Sequence, residues 1–178
     1  MTEYILPTPG TFASLSTDEC SEIIIHLFER SAALETLIMP FFLTESSYIT
    51  FISRTRSELL NLSDEAETDS VKKSALFEIL GAHPRLGARK VESVHSVAEQ
   101  ASLQGEGQKL AALNTEYERA FPGLRYVVFV NGRSRDVIMT NMRERIDRAN
   151  YYLEKIEAIN AMCDIATDRA RKLGAEVL

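Results

Sequence analysis

Gly81-Ala-His-Pro-Arg-Leu-Gly-Ala-Arg-Lys-Val-Glu-Ser-Val-His-Ser-Val-Ala-Glu-Gln100 divides the chain into two runs of helical periodicity. On its amino-terminal side Val71, Ala75, Leu76, Ile79 and Leu80 recur at helical spacing, and Gly81 stands at the C′ position that closes such a stripe. Pro84 pushes His83 out of the α region and into an extended or turn conformation. Just past a helix carboxyl end, the partial negative charge favours imidazolium. Ser96 and Glu99 then stand three residues apart, on one helix face. An imidazole on a rigid turn, with a hydroxyl and a carboxylate close behind, can form a small acid–base site. The bland alternative is structural, because Ser-x-x-Glu also spells a capping box and a His before Pro is commonly a turn residue.

Outward from this stretch the chain reads as helix after helix. Residues 1–11, with Pro7, Pro9 and Gly10, form an extended arm; Ser16-Thr-Asp-Glu19 then opens a helix through Ile23, Ile24, Leu27 and Phe28. A second helix, Ala32 to Met39, should end at Pro40, and Thr44 should cap a third carrying Tyr48, Phe51, Ile52, Leu59 and Leu60. The acidic, polar run 61–69 reads as a surface loop whose end can cap the next helix. After the His-Pro turn a short helix begins near Ser93 or Ser96 and is interrupted by Gly105 and Gly107. A longer one follows, with Leu110, Leu113, Asn114, Tyr117 and Phe121 on one face, until Pro122-Gly123.

Leu124 to Val130 is the one β-type run, closed by Asn131-Gly132. A lone strand leaves backbone groups in need of partners, across a dimer interface or in a ligand. Ser134 caps a helix with Ile138, Met142, Arg145, Ile146 and Ala149 along one side. The last helix, Tyr151 to about Lys172, turns Leu153, Ile156, Ile159, Cys163, Ala166 and Ala170 inward. The expected fold class is all-α: a single-domain multi-helix bundle over residues 1–178, of seven or eight helices, with one short buried extended segment.

Composition narrows function. The 178 residues carry 20 Lys+Arg against 26 Asp+Glu, a net charge of −6, which argues against a nucleic-acid footprint. Cys20 and Cys163 fit no metal or redox spacing and suit core positions in a reducing compartment. No apolar run is long enough to cross a membrane, no secretory leader is visible, and the last three residues are not the Ser-Lys-Leu peroxisomal address. A cytoplasmic location is expected, with the peroxisome as the other possibility. No Gly-rich phosphate loop, Cys/His metal set or Gly-x-Ser-x-Gly elbow is present, so no nucleotide or metal is expected. His26 and His95 read as structural or exposed. Asn114 reads as a buried amide anchoring a loop, and Arg133 and Arg135 as a solvated turn or an anion-receiving helix start.

Taken in order, His83-Pro84-Arg-Leu86-Gly87, Ser96-Val-Ala-Glu99-Gln100, Leu113-Asn114-Thr-Glu-Tyr117 and Phe121 resemble the 2-oxo-4-hydroxy-4-carboxy-5-ureidoimidazoline (OHCU) decarboxylase family of urate breakdown. The resemblance runs from about Leu76 to Leu173. It implies an all-α fold, a cofactor-free carboxy-lyase, a homodimer, and (S)-allantoin as product. Carried over residue by residue, it implies His83 as the catalytic imidazole and Glu99 as its partner carboxylate. Ser96 and Arg169 become substrate contacts, together with Pro84, Gln100 and the backbone of Val128, Phe129 and Val130. One departure is that the family's Phe-Gly-Phe-Pro-Phe-like string is replaced by Phe121-Pro-Gly-Leu-Arg125, and Arg125 could alter the pocket's shape or charge. Two other readings stay open: a divergent member acting on a related ureido or imidazoline acid, and a helical binding protein without turnover.

Overall fold

The computed structural model describes residues 3–87, 94–100 and 107–174, and among these it holds eight α-helices and one 3-10 helix. Residues 3–8 are extended, with the Leu6 N–H donating to the Leu173 carbonyl at 3.0 Å. The expected arm is shorter than its prolines suggested, because Pro9 opens the 3-10 helix Pro9–Ser14, which buries Phe12. The reciprocal cap between Ser16 and Glu19 opens α1 (Thr17–Phe28), whose Ile23, Ile24, Leu27 and Phe28 are sealed in the core.

Two boundaries moved for reasons of packing. α2 (Ala32–Phe42) runs through Pro40 instead of stopping before it. The missing N–H falls in the last turn, and the two residues beyond it reach the core. Phe42 packs with its ring centroid 4.6 Å from Phe51 and 4.9 Å from Phe12. Thr44 does not cap α3 (Tyr48–Glu65); its hydroxyl donates to the Phe41 carbonyl, and Ser47 caps the helix with Thr50 in reciprocal bonds. The expected loop at 61–69 is helical as far as Glu65. Leu62 and Ser63 sit one turn beyond Leu59 on the buried face, while the acidic letters lie outside. Asp69 does cap α4 (Ser70–Gly81), with Oδ1 accepting from the Val71 and Lys72 N–H groups. Gly81 is the last helical residue and not the C′ residue, and Val71 points outward, 76% exposed.

The second half follows as α5 (Val94–Glu99), α6 (Gly107–Ala120), α7 (Arg135–Arg148) and α8 (Tyr151–Lys172). The alternative start at Ser93 and the break at Gly105 lie outside the described residues. α8 makes its most extensive contacts with α3 and α1 and is the central column. Ile159, Cys163, Ala166 and Ala170 face inward, as does Cys20 of α1, while Leu153 faces outward.

Segment 124–130 pairs with no strand among the described residues. It starts after Gly123, whose φ of 91° and contact with the Phe77 ring leave no room for a Cβ. Three of its carbonyls are taken by arginine forks: Arg145 Nη1 donates to Val127 O at 2.9 Å, Arg133 Nε to Val130 O at 3.1 Å, and Arg133 Nη2 to Phe129 O. That answers part of the lone-strand problem within one chain.

Candidate functional site

His83 leaves α4 on a turn that the core holds closed. Its side chain is buried, and its carbonyl accepts from Arg125 Nη1 at 3.2 Å. Burial, reinforced by the positive charge of Arg169 and opposed by Glu29, lowers its pKa to about 4. The imidazolium expected from the α4 dipole is therefore replaced by a neutral ring, because desolvation outweighs a partial charge at a helix end. Its Nε2 atom is buried and has no hydrogen-bond partner among the described residues.

Helix α5 brings the remaining groups, and it is attached in an unusual way. Ser96 is its one buried residue, while Val94 and Val97 are exposed. Polar ties hold it instead. Ser96 Oγ donates to Glu29 Oε1 at 2.8 Å, and both Glu99 oxygens accept from Arg169, Nε at 2.6 Å and Nη2 at 3.0 Å. His95 Nε2 lies 2.9 Å from His26 Nδ1, with Tyr4 stacked on His26. Gln100 Oε1 accepts from the Gly87 N–H at 2.8 Å, which ties the loop after His83 to the end of α5. Burial lowers the pKa of both His26 and His95, so this pair is an interhelical clasp.

A cavity of about 260 Å³ lies between these groups, suited to a small metabolite. His83, Pro84, Ser96, Glu99 and Gln100 line it together with Val128, Phe129 and Val130. Arg169 does not line it. Its guanidinium sits behind Glu99, 2% exposed, and Nη2 also donates to Glu29 at 2.9 Å and to Ser96 at 3.2 Å. Asp168, the residue before that arginine, and Lys172, nearly one turn after it, form an ion pair at 2.7 Å and line the cavity. Arg125 is not in the lining, so its effect on the cavity passes through the His83 backbone.

A comparison with known protein families matches OHCU decarboxylase over residues 13–171, nearly the whole chain. The chain belongs to the OHCU decarboxylase family. A search of curated proteins gave no match. Membership supports a decarboxylation within purine degradation, a lyase reaction, on the all-α fold seen here. Among the described residues of this family member, no three His, Cys, Asp or Glu side chains are grouped as a metal ion would need. No described helix is long and apolar enough to cross a membrane.

Sequence reasoning missed Glu29. It follows α1 with φ 78° and ψ 165°, a region that side chains other than glycine avoid at a cost on the order of 1–3 kcal/mol. Burial pushes its carboxyl up, but Arg169, the Ser96 hydroxyl and His83 outweigh that and hold it below the usual range. One signal was available: an anion at the carboxyl end of a helix stands where the dipole disfavours it.

Proposed function

We propose that the protein removes the carboxylate of 2-oxo-4-hydroxy-4-carboxy-5-ureidoimidazoline and yields (S)-allantoin without a cofactor. The observation that carries this reading is a neutral, buried His83 lining the same cavity as Glu99. In the reaction, the bond to the carboxylate breaks and CO2 leaves. The electron pair passes into the substrate's own adjoining C=N, whose nitrogen takes a proton, so the sink is internal to the substrate. The hydroxyl on the carbon that lost CO2 then becomes a carbonyl, and the ureido-bearing carbon gains a proton on one face. That face sets the configuration.

A neutral imidazole suits these steps, since it can take the hydroxyl proton without first losing one. His83 and Glu99 share the proton transfers. Arg169 fixes both oxygens of Glu99 and adds positive charge beside the developing anion. The backbone N–H groups of Val128, Phe129 and Val130 have no acceptor among the described residues and face this role as donors to the substrate's oxygens. The divergent-substrate reading rested on Arg125, which the cavity lining does not include. On the same family resemblance we propose a homodimer, which light scattering tests, and we keep the sequence-based expectation of a cytoplasmic location, which cell fractionation tests.

The deciding experiment follows the circular dichroism of allantoin formed from OHCU generated in situ, with no protein, with this protein, and with Glu99→Gln. Faster decay and one enantiomer with the intact protein alone support the reading. A folded protein that leaves the racemic background unchanged sinks it.

A further inference from the structure

Glu29 does not itself line the cavity, yet two of the polar ties that hold α5, through Ser96 and through Arg169, meet on it. Its Oε1 atom accepts from Ser96 Oγ at 2.8 Å and from Arg169 Nη2 at 2.9 Å. Arg169 in turn grips both oxygens of Glu99. Ser96 and Arg169 stand 67 and 140 residues from Glu29 along the chain. They join the end of α1, the short helix α5 and the last turns of α8. Because α5 buries no apolar side chain, its position depends on such ties more than an ordinary core helix would. The backbone of Glu29 sits at φ 78°, where glycine is at home, and a side chain is kept there regardless. A residue that served only to end α1 would be better as glycine.

We propose that Glu29 is a positioning residue for the reaction, orienting Ser96 and, through Arg169, the carboxylate of Glu99 at the cavity. This rests on the decarboxylase reading for its activity test but not for its geometry. Both bonds run to a single oxygen, so a glutamine carbonyl can supply the same acceptor without the charge. Its carboxylate also acts on His83, raising the pKa that burial lowers.

Three variants separate positioning from a helix-end role. Glu29→Gly releases the backbone from strain and removes the acceptor. Glu29→Ala removes the acceptor and keeps the strain, while Glu29→Gln keeps the acceptor. We expect kcat to fall roughly 10- to 100-fold in the glycine and alanine proteins. The glutamine protein should recover most of that loss, with KM moving little in any of the three. Thermal unfolding of the glycine protein should lie at or above that of the alanine protein. A glycine variant with wild-type kcat overturns the proposal, as does an equal kcat loss in the glycine and glutamine variants. If wild-type protein does not act on OHCU, the proposed function fails by itself. The crystal structure of Glu29→Gly then decides the positioning: Ser96 and Arg169 must leave the places they hold here, and their staying overturns it.

Discussion

Two arginines, Arg145 on α7 and Arg169 on α8, are 3% and 2% exposed, and each is paired to carboxylates, yet they do different work. Around Arg145 the polar groups close on one another. Its Nε and Nη2 both donate to Glu154 Oε1, the Tyr117 hydroxyl donates to the same atom, and Nη1 takes the Val127 carbonyl. The Tyr126 ring lies 4.6 Å below the guanidinium. α6, α7, α8 and the extended segment meet there in one filled knot. Around Arg169 the pairing is as dense, but it ends on a helix that buries no apolar side chain and on a carboxylate that lines a cavity. Beside it stands a histidine with an unpartnered buried nitrogen. Burial and ion pairing therefore do not by themselves mark a functional site. What marks it is polar capacity left over where a ligand can reach.

The largest effects should fall on opposite sides of this comparison. His83→Ala should lower kcat by about 10²- to 10⁴-fold, the usual share of a positioned acid–base group, while thermal unfolding stays near that of the parent. Loss of folding in step with activity would make His83 a turn residue and dissolve the distinction. Arg145→Ala should do the reverse. Breaking this buried pair leaves Glu154 with only Arg148 at 3.3 Å and the Tyr117 hydroxyl, and urea unfolding should show a loss of about 3 kcal/mol. The molecules still folded should keep kcat within a few-fold. A much larger kcat loss in folded Arg145→Ala protein would show that the filled knot belongs to the site.

The two regions should also differ in pH response. His83 titrates near 4 in the folded protein and at its ordinary value of 6.5 when unfolded. Between those values the unfolded chain binds a proton that the folded one does not, so stability falls as pH drops from 6.5 towards 4. Its slope is on the order of 1 kcal/mol per pH unit. His26 and His95 are lowered too and act in the same direction. Glu29, held low, adds a further loss as pH falls below its ordinary value of 4.5. The measurement is therefore a difference: urea unfolding between pH 7 and pH 5 should steepen less in His83→Gln than in the parent. Parallel curves would mean that His83 is not the buried neutral ring described here.

How much of this was legible follows from the range of each interaction. Caps at Ser16, Asp69 and Ser134 and the stripes of α1 and, Leu153 apart, of α8 are local patterns, and they read correctly from neighbouring letters. His83, Ser96, Glu99 and Gln100 were legible because a short loop and a short helix carry them all. Where tertiary packing overrode local preference, the reading failed. Pro40 is tolerated because Phe41 and Phe42 gain core contacts, and polar letters after Leu60 hid the buried Leu62 and Ser63. Glu29 offered only its unfavourable place at a helix carboxyl end, and nothing near it in sequence indicates a partner at Arg169. The role of Arg169 shows the limit from the other side, since the resemblance implied a substrate contact, whereas the side chain lies outside the cavity lining and binds Glu99.

The smallest effect concerns Arg125, the residue that departs from the family's usual string. Were it part of the cavity, replacing it would change which acid binds and would move KM. It instead donates one 3.2 Å bond to the His83 carbonyl and lies outside the lining. Arg125→Ala should therefore cost about 0.5–1.5 kcal/mol of local order, the ordinary net worth of one such bond. In turnover that is a few-fold loss of kcat with KM unchanged, because the turn carrying the imidazole is loosened and the binding surface is left alone. A KM that rises while kcat holds would place the guanidinium at the substrate. It would also reopen the related ureido acid as the molecule this cavity accepts.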